Sequence, residues 1–205
     1  MTIQLTDISK RFGYEWIFKK INYQFLPNEK YAILGNNGSG KSTLLKIIAN
    51  GMLPSFGKIA YNIQNKNDCS DDVINQAIGY AAPYVELINE FTITEMYEFH
   101  ASFKTMAVNN VQEFLQIIDL EKAKNKSIKQ LSSGMKQRVK LGLILLSDVE
   151  AILLDEPTTN LDENSIQWYH HMIEKYTNNK TLIISSNQPI EYEFCKHHLH
   201  INDYK

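Results

Sequence analysis

Two apolar runs, Tyr31-Ala32-Ile33-Leu34 and Leu44-Leu45-Lys46-Ile47-Ile48-Ala49, flank the segment Gly35-Asn36-Asn37-Gly38-Ser39-Gly40-Lys41-Ser42-Thr43. The first run reads as a buried strand and the second as a helix. Strand, glycine-rich loop and helix are the context in which Gly-x-x-x-x-Gly-Lys-Ser holds a nucleoside triphosphate. Glycine lets the backbone curl with its N–H groups pointing inward, where a side chain would block a phosphate. A helix starting near Gly40 adds unpaired N–H groups and the positive end of its dipole. Lys41 is expected to reach the β- and γ-phosphates, and the Ser42 hydroxyl to ligate Mg²⁺. The motif therefore demands a buried strand, a tight turn and a helix in sequence.

The rest of the chain follows the same alternation. Ile3, Leu5 and Ile8 suggest a first strand, and Ile21 to Phe25 a second, with a turn between them carrying four aromatics (Phe12, Tyr14, Trp16 and Phe18). Such aromatics cover a core or stack on a base. Lys58 to Ile63 and Ala77 to Ala81 read as strands, and Gln64 to Asp72 as a polar loop. Thr92-Ile93-Thr94-Glu95 has capping-box spacing and Asn110 to Glu113 repeats it. Behind the first cap, Ile93, Met96, Tyr97, His100 and Phe103 share a helical face, read as core. Residues from about 90 to 135 thus form a small helical lobe inserted between strands. A helix opens at Leu131-Ser132-Ser133-Gly134, and Ala151 to Asp155 and Thr181 to Ser185 are apolar strands. Non-alternating strands separated by helices predict a parallel sheet covered on both faces.

The apolar strand ending in Asp155-Glu156 supplies the second half of such a site. Parallel strands gather ligands at their carboxyl ends, so Asp155 and the glycine-rich loop converge. Asp155 would hold Mg²⁺, directly or through water. Glu156 would accept a hydrogen bond from the attacking water and orient it. A net charge of −2 gives no reason to expect a nucleic-acid partner. Two distant cysteines, Cys69 and Cys195, fit a reducing compartment better than a disulfide scaffold. Cys195, His197, His198 and His200 read as part of a terminal strand, whose alternation splits the histidines, and not as a zinc site.

With these motifs in order, the sequence resembles the ATP-binding subunits of ABC transporters over nearly its whole length. Leu131-Ser132-Ser133-Gly134-Met135 is similar to that family's Leu-Ser-Gly-Gly-Gln signature and is followed by Lys136-Gln137-Arg138. Pro157-Thr158-Thr159-Asn160-Leu161-Asp162 resembles its D-loop, and Phe12-Gly13 stands at its adenine-stacking A-loop. The resemblance implies one P-loop NTPase domain over residues 1–205: an α/β core with a parallel sheet, an N-terminal antiparallel β-subdomain and the helical lobe. It implies ATP and Mg²⁺ as cofactors and a second ABC ATPase subunit, identical or related, facing the first head to tail. Ser132, Ser133 and Gly134 would then donate to the γ-phosphate held by the other subunit's loop. A membrane-spanning permease subunit would be the further partner, which places this chain on the cytoplasmic face of the inner or plasma membrane.

Three positions depart from the family pattern. Pro83 aligns with the Q-loop glutamine, so either another residue, such as Tyr84 or Glu86, substitutes or Mg²⁺ keeps an extra water. Asn187 stands where the switch histidine is expected and offers an amide donor without a positive charge. Ser133 and Met135 replace Gly and Gln in the signature. Transport powered by ATP hydrolysis is the implied function; an ATP-gated dimerisation switch with little hydrolysis is the alternative.

Overall fold

The computed structural model describes residues 1–63 and 69–205. Five parallel strands form the centre. They are β3 (Lys30–Leu34), β5 (Ile78–Ala81), β6 (Ala151–Asp155), β7 (Thr181–Ser185) and β8 (His197–His200), in the order β5-β6-β7-β3-β8. β6 and β7 are buried at every residue, the pattern of strands covered on both faces. Alternate side chains enter different cores. Ala32, Ile152, Leu154, Leu182 and Ile184 pack with α5 (Ser133–Leu145), α6 (Glu163–Tyr176) and the helical lobe. Ile33, Ala151, Leu153 and Ile183 pack with α1 (Lys41–Ile48) and the N-terminal strands. The sheet is therefore the shared wall of two hydrophobic cores.

Those N-terminal strands, β1 (Thr2–Phe12), β2 (Glu15–Phe25) and β4 (Phe56–Asn62), form an antiparallel sheet in the order β2-β1-β4. The expected four-aromatic turn is a correction: only Gly13 and Tyr14 lie outside the strands, and Phe12, Trp16 and Phe18 belong to a long hairpin. The register shifts between Leu5 and Ile8, and Asp7 and Lys20 take positive φ (51° and 54°). Irregularities of this kind break the period-two pattern that would have revealed the strands. A second correction concerns the polar loop. Residues 64–68 of it lie outside the described residues, but α2 (Asp71–Ala77) occupies its end, with Asp71 and Asp72 favourably placed in the first turn. Seven residues are too few to display a helical period.

In the lobe, α3 (Ile93–Ala101) starts at a complete capping box between Thr92 and Glu95, and Asn110 caps α4 (Val111–Ile117). Ile93, Met96, Tyr97, Phe114 and Leu115 are buried in the same core as α5. Phe103 departs from the expected face: it lies past the end of α3 and is 65% exposed.

His100 is turned inward, with Nε2 2.8 Å from Ser147 Oγ, whose own proton goes to Leu143 O at 2.6 Å. Burial, reinforced by the charge of Lys104, lowers its pKa from 6.5 to about 4. Because the folded value lies below the unfolded one, the unfolded chain takes up the proton first. The neutral ring's contribution is complete above pH 6.5 and lost as pH falls towards 4. Urea midpoints are expected to fall more steeply between pH 7 and 4.5 in the wild type than in His100→Gln. Equal slopes would refute this assignment.

Candidate functional site

At the carboxyl edge of the sheet, β3 runs into the loop Gly35–Gly40 and then α1. Gly40 has φ +102°, and a Cβ there would lie 2.3 Å from Ile17 Cγ2 on β2. At Gly35 a Cβ would lie 2.6 Å from Ser39 Oγ. The loop is thus closed against its own hydroxyl and against the neighbouring sheet, leaving no room for side chains at these two positions. Lys41 is buried, and its Nζ donates to Gly35 O at 2.8 Å and to Asn36 O at 3.2 Å. Its ammonium therefore lies inside the curl of the loop. Burial lowers its pKa, while the negative charges of Glu156 and Asp155 act in the opposite direction. Ser42 and Thr43 lie in the first turn of α1, Ser42 exposed and Thr43 half-buried.

Asp155 ends β6 opposite Ser185 at the end of β7, and β7 lies between β6 and β3. The Asp155 carboxylate is 3% exposed, and its Oδ1 has no hydrogen-bond partner; Ser39 Oγ and Ser185 Oγ share that condition. A buried, unpaired carboxylate oxygen is costly unless something of opposite charge meets it. Together with the Ser42 hydroxyl, this is an all-oxygen donor set suited to a hard cation such as Mg²⁺. Glu156 takes φ +44°, which breaks the extended course of β6 immediately after Asp155. Asn187 follows β7, and its Nδ2 donates to Asn37 Oδ1 in the glycine-rich loop. The loop after β7 is therefore held directly against the glycine-rich loop.

The signature-like residues lie elsewhere. Ser132 caps α5 by accepting from Met135 N at 3.3 Å, and Ser133 begins the helix. Gly134 faces Asn160, whose carbonyl would be 3.0 Å from a Cβ at that position. Together with Asn160 and Asp162 these residues line a surface cleft of about 370 Å³. No residue of Gly35–Thr43 lines this cleft. Phe12 ends β1, 51% exposed, with the Lys10 ammonium 5.2 Å from its ring centre.

Pro83 lies just past β5. Of the suggested substitutes, Tyr84 is 90% exposed, and Glu86 is also exposed and acts electrostatically on Lys140. Lys140 of α5 donates instead to Ala82 O at 2.9 Å and Pro83 O at 3.4 Å, clamping this loop to the signature helix. Gln137 similarly donates to Pro157 O at 2.7 Å. Gln137 was noted only as part of the run after the signature-like segment and Lys140 not at all, because both contacts join segments 20 or more residues apart. Among the described residues no cluster of three or more His, Cys, Asp or Glu side chains fits a metal. His197, half-buried, stacks on Tyr31 with ring centres 4.9 Å apart, and the exposed His198 has its Nε2 3.1 Å from Cys195 O; both lie in β8. No helix among the described residues is long and apolar enough to cross a membrane.

The comparisons with known proteins agree with this geometry. The family model for the ABC transporter matches residues 18–159. The chain is 29% identical over 191 residues to the Nod factor export ATP-binding protein I of Rhizobium etli, covering 90% of this chain and 60% of that protein. It is 36% identical over 168 residues to the sulfate/thiosulfate import ATP-binding protein CysA of Synechocystis, covering 79% of this chain and 46% of that one. The chain therefore spans about half the length of these curated relatives. Among solved structures, it matches the bacterial ABC transporter cassette MJ0796 with a TM-score of 0.82 and 26% identity, over 97% of this chain and 93% of that one. That cassette has been solved as a dimer, including a post-hydrolysis state bound to ADP and Pi. A P-loop NTPase fold, the complete cradle and the family match over most of the chain lead to one assignment: the chain belongs to the ABC transporter family, as an ATP-binding domain.

Proposed function

We propose that residues 1–205 form one ATPase domain, with its helical lobe at about 90–135, that hydrolyses ATP to drive transport through a separate membrane-spanning permease subunit. The observation that carries this reading is the convergence of three elements at one sheet edge. The Gly35–Thr43 cradle, the unpaired Asp155 oxygen and the Asn187–Asn37 contact all meet there. In this reading the backbone of Gly35, Asn36, Asn37, Gly38, Ser39 and Gly40, with Thr43, encloses the phosphates. Lys41 exchanges its two carbonyl acceptors for phosphate oxygens. Ser42 and Asp155 would hold Mg²⁺, and the ion would supply neutralisation of phosphate charge. Glu156 orients water for attack on the γ-phosphorus, the bond to the β-phosphate oxygen breaks, and ADP and phosphate leave. Asn187 donates a hydrogen bond to a γ-phosphate oxygen, and Phe12 stacks on the adenine.

Ser132, Ser133 and Gly134 lie apart from this cradle, which supports a site completed by a second ABC ATPase subunit in head-to-tail arrangement. ATP then favours the closed dimer because it gains donors there that the open form lacks, and loss of the γ-phosphate removes the difference. A peripheral position on the cytoplasmic face of the membrane is part of the same reading, and it is supported by relatives named as the ATP-binding proteins of export and import systems.

The test compares Mg²⁺-dependent ATP turnover of the wild type with that of Asn187→His. A histidine can add positive charge beside the γ-phosphate, and turnover is expected to rise about tenfold, equivalent to about 1.4 kcal/mol of barrier. Wild-type turnover no faster than that of Glu156→Gln would overturn the reading.

A further inference from the structure

Glu191, in the short helix α7 (Pro189–Tyr192), is a carboxylate with no exposed surface. The chemistry above makes no use of it. Its Oε1 accepts from Thr158 N at 2.7 Å and from Thr158 Oγ1 at 2.6 Å, and its Oε2 accepts from Ser186 Oγ. Ser186 Oγ in turn accepts from Gln188 N at 2.8 Å, so its own proton is free for the carboxylate. The main chain of Glu191 is fixed as well, its carbonyl accepting from the buried Tyr169 hydroxyl at 3.0 Å. Burial pushes the carboxyl pKa up, Glu156 adds to that, and the three hydrogen bonds oppose it.

The identity of the donors gives the arrangement its meaning. Thr158 lies two residues after Glu156, and Ser186 immediately precedes Asn187. These segments leave adjacent strands, β6 and β7, and the backbone joins them only as far as Glu156 N to Ser185 O, at 2.9 Å. Beyond that point the two loops diverge, and Glu191 is the side chain that bonds both. The Thr158 segment continues to Asn160, which packs against Gly134 at the start of α5.

We propose that Glu191 is a positioning residue that locks the loop carrying Glu156 to the loop carrying Asn187, so that both approach the γ-phosphate as one unit. It touches neither nucleotide nor water. The inference rests on the ATPase reading, because the positions it fixes are those assigned to water and γ-phosphate. A buried carboxylate accepting three donors resists local opening: releasing either loop strands an unpaired charge.

The experiment uses the full chain with three measurements: steady-state ATP turnover, equilibrium ATP binding, and amide hydrogen exchange. Glu191→Gln keeps an acceptor for Thr158 and can donate to Ser186 Oγ, so its kcat is expected within about threefold of wild type. Glu191→Ala is expected to lose about tenfold or more in kcat while its ATP Kd stays within about twofold, because the Lys41 cradle is untouched. Exchange should rise together in residues 156–162 and 186–188. If Glu191→Ala does not fold, Ser186→Ala removes the donor from the Asn187 loop, and Thr158→Val removes the hydroxyl donor of the other loop while keeping its N–H donor; the two serve the same comparison, with the larger effect expected for Ser186→Ala. Wild-type kcat in a folded Glu191→Ala protein, or exchange that rises in one loop alone, would overturn the proposal. A wild type without turnover would instead mark failure of the ATPase reading, and hydrogen exchange would still decide the role of Glu191.

Discussion

Glu156→Gln is expected to lower ATP turnover by about 10²- to 10⁴-fold, the range over which a positioned general base contributes. The substitution is nearly isosteric, so the positive φ of residue 156 and the end of β6 remain as they are. The amide can still contact water but cannot draw its proton. ATP binding should persist, since the cradle and the Asp155 oxygen are unchanged, and nucleotide-bound dimers should accumulate. Stability is not expected to fall: Glu156 acts unfavourably on buried Glu191, and neutralising it removes that repulsion. Phosphate-release kinetics and ATP titration measure the two halves of this result. Turnover within tenfold of wild type would show that Glu156 does not orient the attacking water.

Lys41→Ala is expected to separate binding from folding in the opposite way. Lys41 is 5% exposed and holds two loop carbonyls, so the ammonium is already positioned where phosphate oxygens would come. A hydrogen bond to a charged group contributes about 1.5–3 kcal/mol, which converts to a loss of about 10- to 150-fold in ATP affinity. The freed Gly35 and Asn36 carbonyls can turn to water at the loop surface, so the fold should survive. Calorimetric titration with Mg-ATP reads the loss directly, and a Kd within twofold of wild type would refute the assignment of Lys41.

The two variants probe features that differ in how they could be found. Gly35 to Thr43 was legible because every requirement of a phosphate cradle is local: glycines at the turn, a lysine at the helix start, apolar runs on either side. The capping residues Thr92 and Asn110 were legible for the same reason, and each caps its helix in the structure. The strands β6 and β7 announced themselves by unbroken apolar character. The long β1–β2 hairpin did not, because irregularities near Asp7 and Lys20 re-phase its alternation, and α2 is too short to show a period. His100 and Phe103 fell on one predicted face, but only His100 turns inward, because α3 ends at Ala101, before Phe103.

The sequence by itself determined the kind of site: which residues can cradle phosphate, which carboxylates follow a buried strand, and which family this order of motifs resembles. Local chemistry and fixed spacing suffice for those conclusions. Only the tertiary structure decided the contacts between distant segments. It set Asn187 against Asn37, gave the place of an absent Q-loop glutamine a clamp from Lys140, and buried Glu191 between Thr158 and Ser186. The physical reason is that a buried polar group must find its partner in space. Thr158 and Glu191 are 33 residues apart, Ala82 and Lys140 58, and Asn37 and Asn187 150, and such separations leave no periodicity in the chain to mark the pairs.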